Sequence, residues 1–298
     1  MQYRTLGSTG LKVSVVGVGT WQFGGEWGVD YEQPQVDAII DTALEEGINL
    51  IDTAECYGDH LSESLIGNRI RKDRDKWIVA TKFGHKFHAF LDRTHDYSAD
   101  GALKQLDESL QALQTDYVDL YQFHSGPDED YFNDELWEAL SRQKEAGKIR
   151  HLGLSVSGGE SIEKQIAKAK DYNIEAIQII YNRLNRRPEE GAFDTCRQDN
   201  LGVLARVPLA SGFLTGKYKA GDSFPDNDVR GKRSQENIDK TLKEVEKIKQ
   251  EEVPDGVPMV QWALAWCLRD EVVTTVIPGC KNPDQVRSNA AAAELKID

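Results

Sequence analysis

The chain has 298 residues, 39% hydrophobic and 29% charged, with 50 acidic against 36 basic side chains and a net charge of −14. That balance fits a soluble globular enzyme and argues against non-specific binding to nucleic acid or to an anionic membrane. No apolar run approaches the ~20 residues of a membrane span, and residues 1–7 lack the apolar core of a signal peptide. The four cysteines, Cys56, Cys196, Cys267 and Cys280, show no CxxC spacing. A cytoplasmic protein with reduced thiols is therefore expected.

In chain order, residues 3–6 and 12–15 flank Gly7-Ser8-Thr9-Gly10 and read as a hairpin. A strand over 16–21 follows, then a helix over 34–46, with Pro34 in its first turn and Gly47 at its end. Strands and helices then alternate: strand 48–51, helix 62–71, strand 77–82, a polar loop 83–97, helix 99–114 capped by Ser98, and strand 117–124. Helix 134–146, capped by Asn133, precedes strand 149–155, helix 160–172, strand 176–180, helix 189–199 and strand 201–206. The rhythm breaks at 210–232, a stretch without period whose length points to a functional loop. Helices 234–252 and 258–269, strand 272–277 and helix 283–293 complete the chain. Eight βα units in one stretch without a linker predict one domain over 1–298, an α/β fold of the (β/α)8 TIM-barrel type, with the N-terminal β-hairpin plugging the bottom. An open doubly wound sheet is disfavoured, because Gly17-Val18-Gly19 is not completed to GxGxxG.

The chemistry concentrates at strand ends. Asp52 closes the strand over 48–51, and Tyr57 lies in the loop beyond it. Lys82 ends the next strand and His124 the one after. A barrel collects such residues on one rim. A phenol ordinarily titrates at ~10, so Tyr57 is expected to serve as a general acid with its pKa lowered by the Lys82 ammonium.

Ordered motifs carry a resemblance along the whole chain: Gly19-Thr20-Trp21, Asp52-Thr53-Ala54 with Tyr57-Gly58, Thr81-Lys82, Asp116 to Leu120 with Phe123-His124, Gly153-Leu154-Ser155, Gln178 with Tyr181-Asn182, Pro208-Leu209 with Leu214-Thr215-Gly216-Lys217, and Ile277-Pro278-Gly279. On these, the chain resembles the aldo-keto reductase superfamily, in the bacterial branch related to potassium-channel β subunits. The resemblance implies NADPH-dependent reduction of a small-molecule carbonyl substrate, an aldehyde or ketone, with NADH as a possible substitute. The alternative it carries is a cofactor-sensing regulatory subunit with little turnover.

The family pattern implies a catalytic set of Asp52, Tyr57, Lys82 and His124. Its cofactor contacts map onto Gly19, Thr20, Trp21, Ser155, Gln178, Arg206, Leu209, Ser211, Gly212, Lys217, Gly279, Lys281, Gln285 and Asn289. Ser155 and Gln178 would hold the nicotinamide carboxamide, and the long loop would fold over the cofactor as a clasp. This chain departs from the pattern twice, with Val156 where many members have Asn and Arg206 where an aromatic is common. A guanidinium is planar and can stack as an aromatic does. Lys281 beside a helix N-terminus favours a 2′-phosphate, hence NADPH. Trp21, Trp27, Phe87 and Tyr181 are the candidate lining of an apolar substrate pocket.

No metal site is expected. His85, His88 and His95 match no closed zinc spacing and read as solvated loop residues. Asp226-Asn227-Asp228 fails the calcium-loop pattern because Arg230 occupies a ligand position. Asp128-Glu129-Asp130 reads as a solvated acidic loop. Nothing in the sequence indicates the oligomeric state.

Overall fold

The structure is a computed structural model that describes residues 1–159 and 161–297. Strands β1 (Tyr3–Thr5) and β2 (Lys12–Ser14) pair antiparallel. Strand β3 (Val18–Gly19) leads through helix α1 (Gln33–Glu45) to β4 (Leu50–Asp52), and helix α2 (Leu61–Ile70) leads to β5 (Ile78–Phe83). An external antiparallel hairpin follows, β6 (His85–Ala89) and β7 (Asp92–His95), then α3 (Ala99–Leu113) and β8 (Val118–His124). The short α4 (Asp128–Tyr131) and α5 (Asp134–Glu145) precede β9 (Ile149–Ser155). Next come α6 (Ser161–Ala167), β10 (Ile174–Ile180), α7 (Ala192–Asp199), β11 (Gly202–Arg206), α8 (Gln235–Glu251), α9 (Met259–Leu268), β12 (Val273–Val276) and α10 (Pro283–Ala290).

Eight parallel strands stand in the order β3-β4-β5-β8-β9-β10-β11-β12. Parallel bridges Val16–Val276 and Gly19–Gly279 join the first strand to the last and close the barrel. The closure is tight: a Cβ on Gly19 would sit 2.6 Å from the carbonyl oxygen of Ile277. The predicted caps form, with Ser98 accepting from the Gly101 amide at 3.0 Å and Asn133 from the Leu136 amide at 3.3 Å.

The hairpin seals the end of the barrel opposite the site. Leu6 and Val13 are fully buried in one cluster with Leu50, Ala80, Leu120, Ala176 and Leu204, which point into the barrel. Burying each of these two side chains is worth about 1.5–3 kcal/mol. Gly202 makes room for the plug, since a Cβ there would lie 2.5 Å from the Leu6 side chain.

Three expectations change. The polar stretch 83–97 is not a plain loop, because Gly84 adopts φ 108° and turns the chain into the β6–β7 hairpin. The predicted start of a helix at Glu160 lies outside the described residues. That helix is α-helical only over Ser161–Ala167 and tightens to a 3-10 turn over Ala169–Tyr172, ending in a left-handed Asn173. The acidic run at 128–130 forms the single turn of α4, where Asp128 accepts from Gln165 Nε2 at 3.0 Å.

Candidate active site

Strand periodicity builds the site. Inward-facing residues recur every second position, so the residue two steps beyond each inward apolar side chain also faces inward. Leu50 is followed by Asp52, Ala80 by Lys82, Leu120 by Gln122 and then His124, Ala176 by Gln178, and Leu204 by Arg206. The barrel interior thus switches from apolar to polar in one step toward the carboxyl ends of its strands.

Lys82 is 1% exposed, and its Nζ donates to Asp52 Oδ1 at 2.7 Å, to the Thr53 carbonyl at 2.6 Å and to Tyr57 Oη at 3.4 Å. The other Asp52 oxygen accepts from Gln178 Nε2 at 2.6 Å and Gln122 Nε2 at 3.2 Å. Two buried charges are tolerable only when paired and hydrogen-bonded, and here every strong valence is used. Burial pulls the Lys82 pKa down, but Asp52 and Tyr57 outweigh it and the net shift is upward. The ammonium is therefore permanent.

The Tyr57 expectation is corrected. Its pKa is pushed up to about 12, because burial outweighs the lowering exerted by Lys82. Its ring lies against Trp21, with centroids 6.1 Å apart, and edge-on to His124 at 6.2 Å. Gly24 fixes the loop position, since a Cβ there would come within 2.5 Å of the Tyr57 carbonyl carbon.

His124 is held neutral. Burial drives its pKa well below the ordinary value, and His85, Lys82, Arg206 and Arg93 add repulsion. His85 was read as solvated and is not. It stacks on His124 at 4.3 Å and 14°, and burial next to His95 pushes its pKa down to about 4.

A groove of about 610 Å³ opens above this set, within the size range of small-molecule sites. Its wall includes Asp52, Tyr57 and His124 together with Gly19, Thr20, Trp21, Trp27, Gln178, Arg206, Leu209, Ser211, Gly212, Lys217, Gly279, Lys281, Gln285 and Asn289. Lys82 lies beneath the wall, behind Tyr57. Ser155 is not among the wall residues, and its buried Oγ lacks a partner among the described residues.

Two candidate pocket residues are misplaced. Tyr181 packs against Phe193 at 4.9 Å and Trp266 at 5.3 Å, and its hydroxyl donates to Glu189 at 2.8 Å. Its ring belongs to the core between sheet and helices. Phe87 sits on the external hairpin near Arg93 and does not reach the wall.

Other wall residues went unrecognised in the sequence: Cys56, His85, Arg93, Tyr218 and Arg230. Gln122 was also missed as a partner of Asp52, although it shares the inward phase of His124. Trp21 Nε1 donates to Glu26 Oε2 at 2.6 Å, and the same carboxylate pairs with Arg93.

The segment 210–232 meets the loop after β3 at Glu26 and Trp27. Trp27 bridges to Asp228, and the Val229 amide donates to the Glu26 carbonyl at 3.1 Å. Arg230 pins it, with Nε on Asp228 Oδ1 at 2.8 Å, Nη1 on the Tyr218 hydroxyl at 2.9 Å and the guanidinium 4.2 Å over Phe224. Breaking such a buried pair from one side costs about 3–5 kcal/mol. In Asp228→Ala, limited trypsin digestion is expected to cut first within 217–233, with wild type resistant there. Equal resistance of the two would show that the pair does not hold the segment.

The groove suits a dinucleotide carrying a carboxamide and phosphates. Gln178 brings a side-chain amide to the wall, and Lys217 and Lys281 bring two ammonium groups to it. Arg206 makes no ion pair among the described residues. Its Nη2 donates to the Val156 carbonyl at 3.1 Å, its Nε is buried without a partner, and burial lowers its pKa. A buried donor without a protein partner can be satisfied by water or by a polar ligand. The strand-end set brings a phenol and a neutral imidazole to the cavity wall, with a buried cation beside the phenol.

A profile of the Aldo/keto reductase family matches residues 15–298. The uncharacterized oxidoreductase YqkF of Bacillus subtilis (strain 168) is 32% identical over 299 residues, covering 99% of this chain and 92% of its own. The aldo-keto reductase yakc of Schizosaccharomyces pombe, whose name carries NADP(+), is 31% identical over 298 residues, covering 96% of this chain and 85% of its own. Among solved structures, the holo form of aldo-keto reductase AKR11C1 from Bacillus halodurans superposes with a TM-score of 0.83 at 32% identity, covering 99% of this chain and 92% of that one.

Proposed function

The chain belongs to the aldo/keto reductase family, and on that premise we propose that residues 1–298 form one NADPH-dependent reductase domain that converts aldehydes or ketones to alcohols. The observation that carries this reading is the Lys82 ammonium, 2.7 Å from Asp52 and 3.4 Å from the Tyr57 phenol, beneath a groove shared with His124.

A nicotinamide cofactor, when bound, supplies the hydride. The chain's own residues handle the oxygen. Neutral His124 donates a hydrogen bond to the carbonyl oxygen and stabilises the charge that develops there. Tyr57 gives its Oη proton to that oxygen. A phenol near 12 suffices, because an alkoxide is a far stronger base than a phenolate. Lys82 stabilises the phenolate left behind, and Asp52, held by Gln122 and Gln178, keeps the ammonium in position. Trp21 and Trp27 give the substrate an apolar wall.

Ser155 and Gln178 are the residues assigned to the carboxamide, Arg206 to the face of the nicotinamide ring, and Leu209, Ser211, Gly212 and Lys217 to the pyrophosphate. Gly279, Lys281, Gln285 and Asn289 take the adenosine end. The NADP(+) in the name of the yeast relative supports the phosphorylated cofactor, as does Lys281 on the groove wall beside α10. A charge-assisted contact is worth about 1.5–3 kcal/mol. Lys281→Ala is therefore expected to raise KM for NADPH at least tenfold and leave KM for NADH nearly unchanged. Equal changes for both would remove Lys281 from the 2′-phosphate.

The reading as a whole is tested by NADPH absorbance across a panel of aldehydes and ketones. Cofactor binding without turnover on any of them would overturn it.

A further inference from the structure

The fold brings three ligand-type side chains together from separate parts of the sequence. Cys56 lies in the loop after β4, His85 begins the external hairpin and His124 ends β8. One donor atom from each lies within 4.8 Å of the other two, and all three residues border the groove. We propose that Cys56, His85 and His124 bind a single soft or borderline divalent cation, zinc being the leading candidate, and that its binding closes the active-site groove.

The distances suit such an ion. A tetrahedral zinc with bonds of ~2.3 Å to sulfur and ~2.0–2.1 Å to nitrogen needs ligand atoms roughly 3.4–3.6 Å apart. Cys56 Sγ and His124 Nδ1 are 3.7 Å apart. The third ligand atom already lies within 4.8 Å of both, and its ring must turn, because the stacked His85 and His124 planes are only 14° from parallel. The His85 ring is the one placed to turn, since it stands on the external hairpin while Cys56 and His124 stand on the barrel rim.

The donor types suit a soft or borderline ion, since an imidazole nitrogen and a thiolate sulfur are the ligands zinc prefers. Cys56 is a thiol, and binding exchanges its proton, released to solvent, for the metal–sulfur bond. Of the nearby cations, Lys82 is paired with Asp52 and Arg93 with Glu26, while Arg206 has no ion-pair partner among the described residues. His88 and His95, the other histidines of the hairpin, are exposed and take no part.

Binding the ion does not depend on the reductase reading, whereas closure of the groove does, because it acts by occupying the space beside Tyr57 and engaging His124. Cobalt is the probe for the binding half, added to full-length protein previously treated with EDTA. One equivalent is expected to produce a thiolate-to-cobalt charge-transfer band in the near ultraviolet that zinc abolishes. Cys56→Ser is expected to lose the band, and His85→Gln to weaken cobalt affinity at least tenfold, with circular dichroism confirming that both are folded. Absence of the band in wild type, its survival in Cys56→Ser, or unchanged affinity in His85→Gln would overturn the site. In the kinetic arm, zinc is expected to inhibit NADPH oxidation reversibly, and His85→Gln to shift the midpoint at least tenfold. Binding without inhibition would overturn closure, and absence of turnover without any metal would instead count against the reductase reading.

Discussion

Tyr57→Phe is expected to lower kcat for carbonyl reduction by about 10²–10⁴-fold, the range set by loss of a positioned general acid, while the cofactor dissociation constant changes less than about threefold. Among the described residues the phenol's hydroxyl has one hydrogen-bond partner, Lys82 Nζ at 3.4 Å, and Phe retains the ring that faces Trp21 and His124. The fold therefore loses little and the proton transfer loses its donor. Single-turnover measurements with saturating NADPH would separate chemistry from release. Near-normal turnover would displace Tyr57 as the acid.

The pH profile adds an independent check in metal-free buffer. Tyr57 holds its proton until about pH 12, and His124 stays neutral because burial and its cationic neighbours depress its pKa well below the ordinary value. Neither group changes state between about pH 6 and 9, so kcat/KM for reduction is expected to be flat there. An unperturbed histidine would instead produce a step near ~6.5. Such a step would show that His124 titrates in the working range and is not the neutral donor.

Lys82→Met is expected to be inactive and also destabilised by about 3–5 kcal/mol, the cost of breaking a buried ion pair from one side. Asp52 would keep two amide donors but face an apolar side chain across a site where it is 3% exposed. The double variant Asp52→Asn/Lys82→Met removes the stranded charge. It is expected to recover most of the urea-unfolding free energy and none of the turnover. Recovery of stability without activity separates the structural cost of the pair from its role beside Tyr57. If Lys82→Met keeps wild-type stability, the pair contributes no net energy to the fold. If the double variant regains turnover, the ammonium is dispensable to the acid.

Much of the site was legible from local pattern. Asp52, His124 and Arg206 end their strands and Lys82 and Gln178 lie just before the ends of theirs, and the period of two aligns them with apolar residues two or four positions earlier. The same parity should have excluded Tyr181. It lies three residues beyond inward-facing Gln178, an odd step, and so turns toward Phe193 and Trp266 among the helices. Phe87 failed for a different reason: the turn at Gly84 creates a hairpin, and the hairpin's own pairing does not reveal which of its faces meets the barrel.

The sequence alone was enough to determine the barrel, its hairpin plug and the chemical identity of the strand-end residues, because periodicity and capping are properties of neighbours along the chain. Tertiary structure decided the rest. Only folding brings His85 from the hairpin onto His124, joins Cys56 to both, and ties Trp27 and Glu26 to Asp228 and Val229 across the groove. It also reversed the expected shift at Tyr57, since the attraction of Lys82 could be anticipated from the sequence but the burial opposing it could not. Desolvation sums over every atom that excludes water, and those atoms come from segments far apart in the chain.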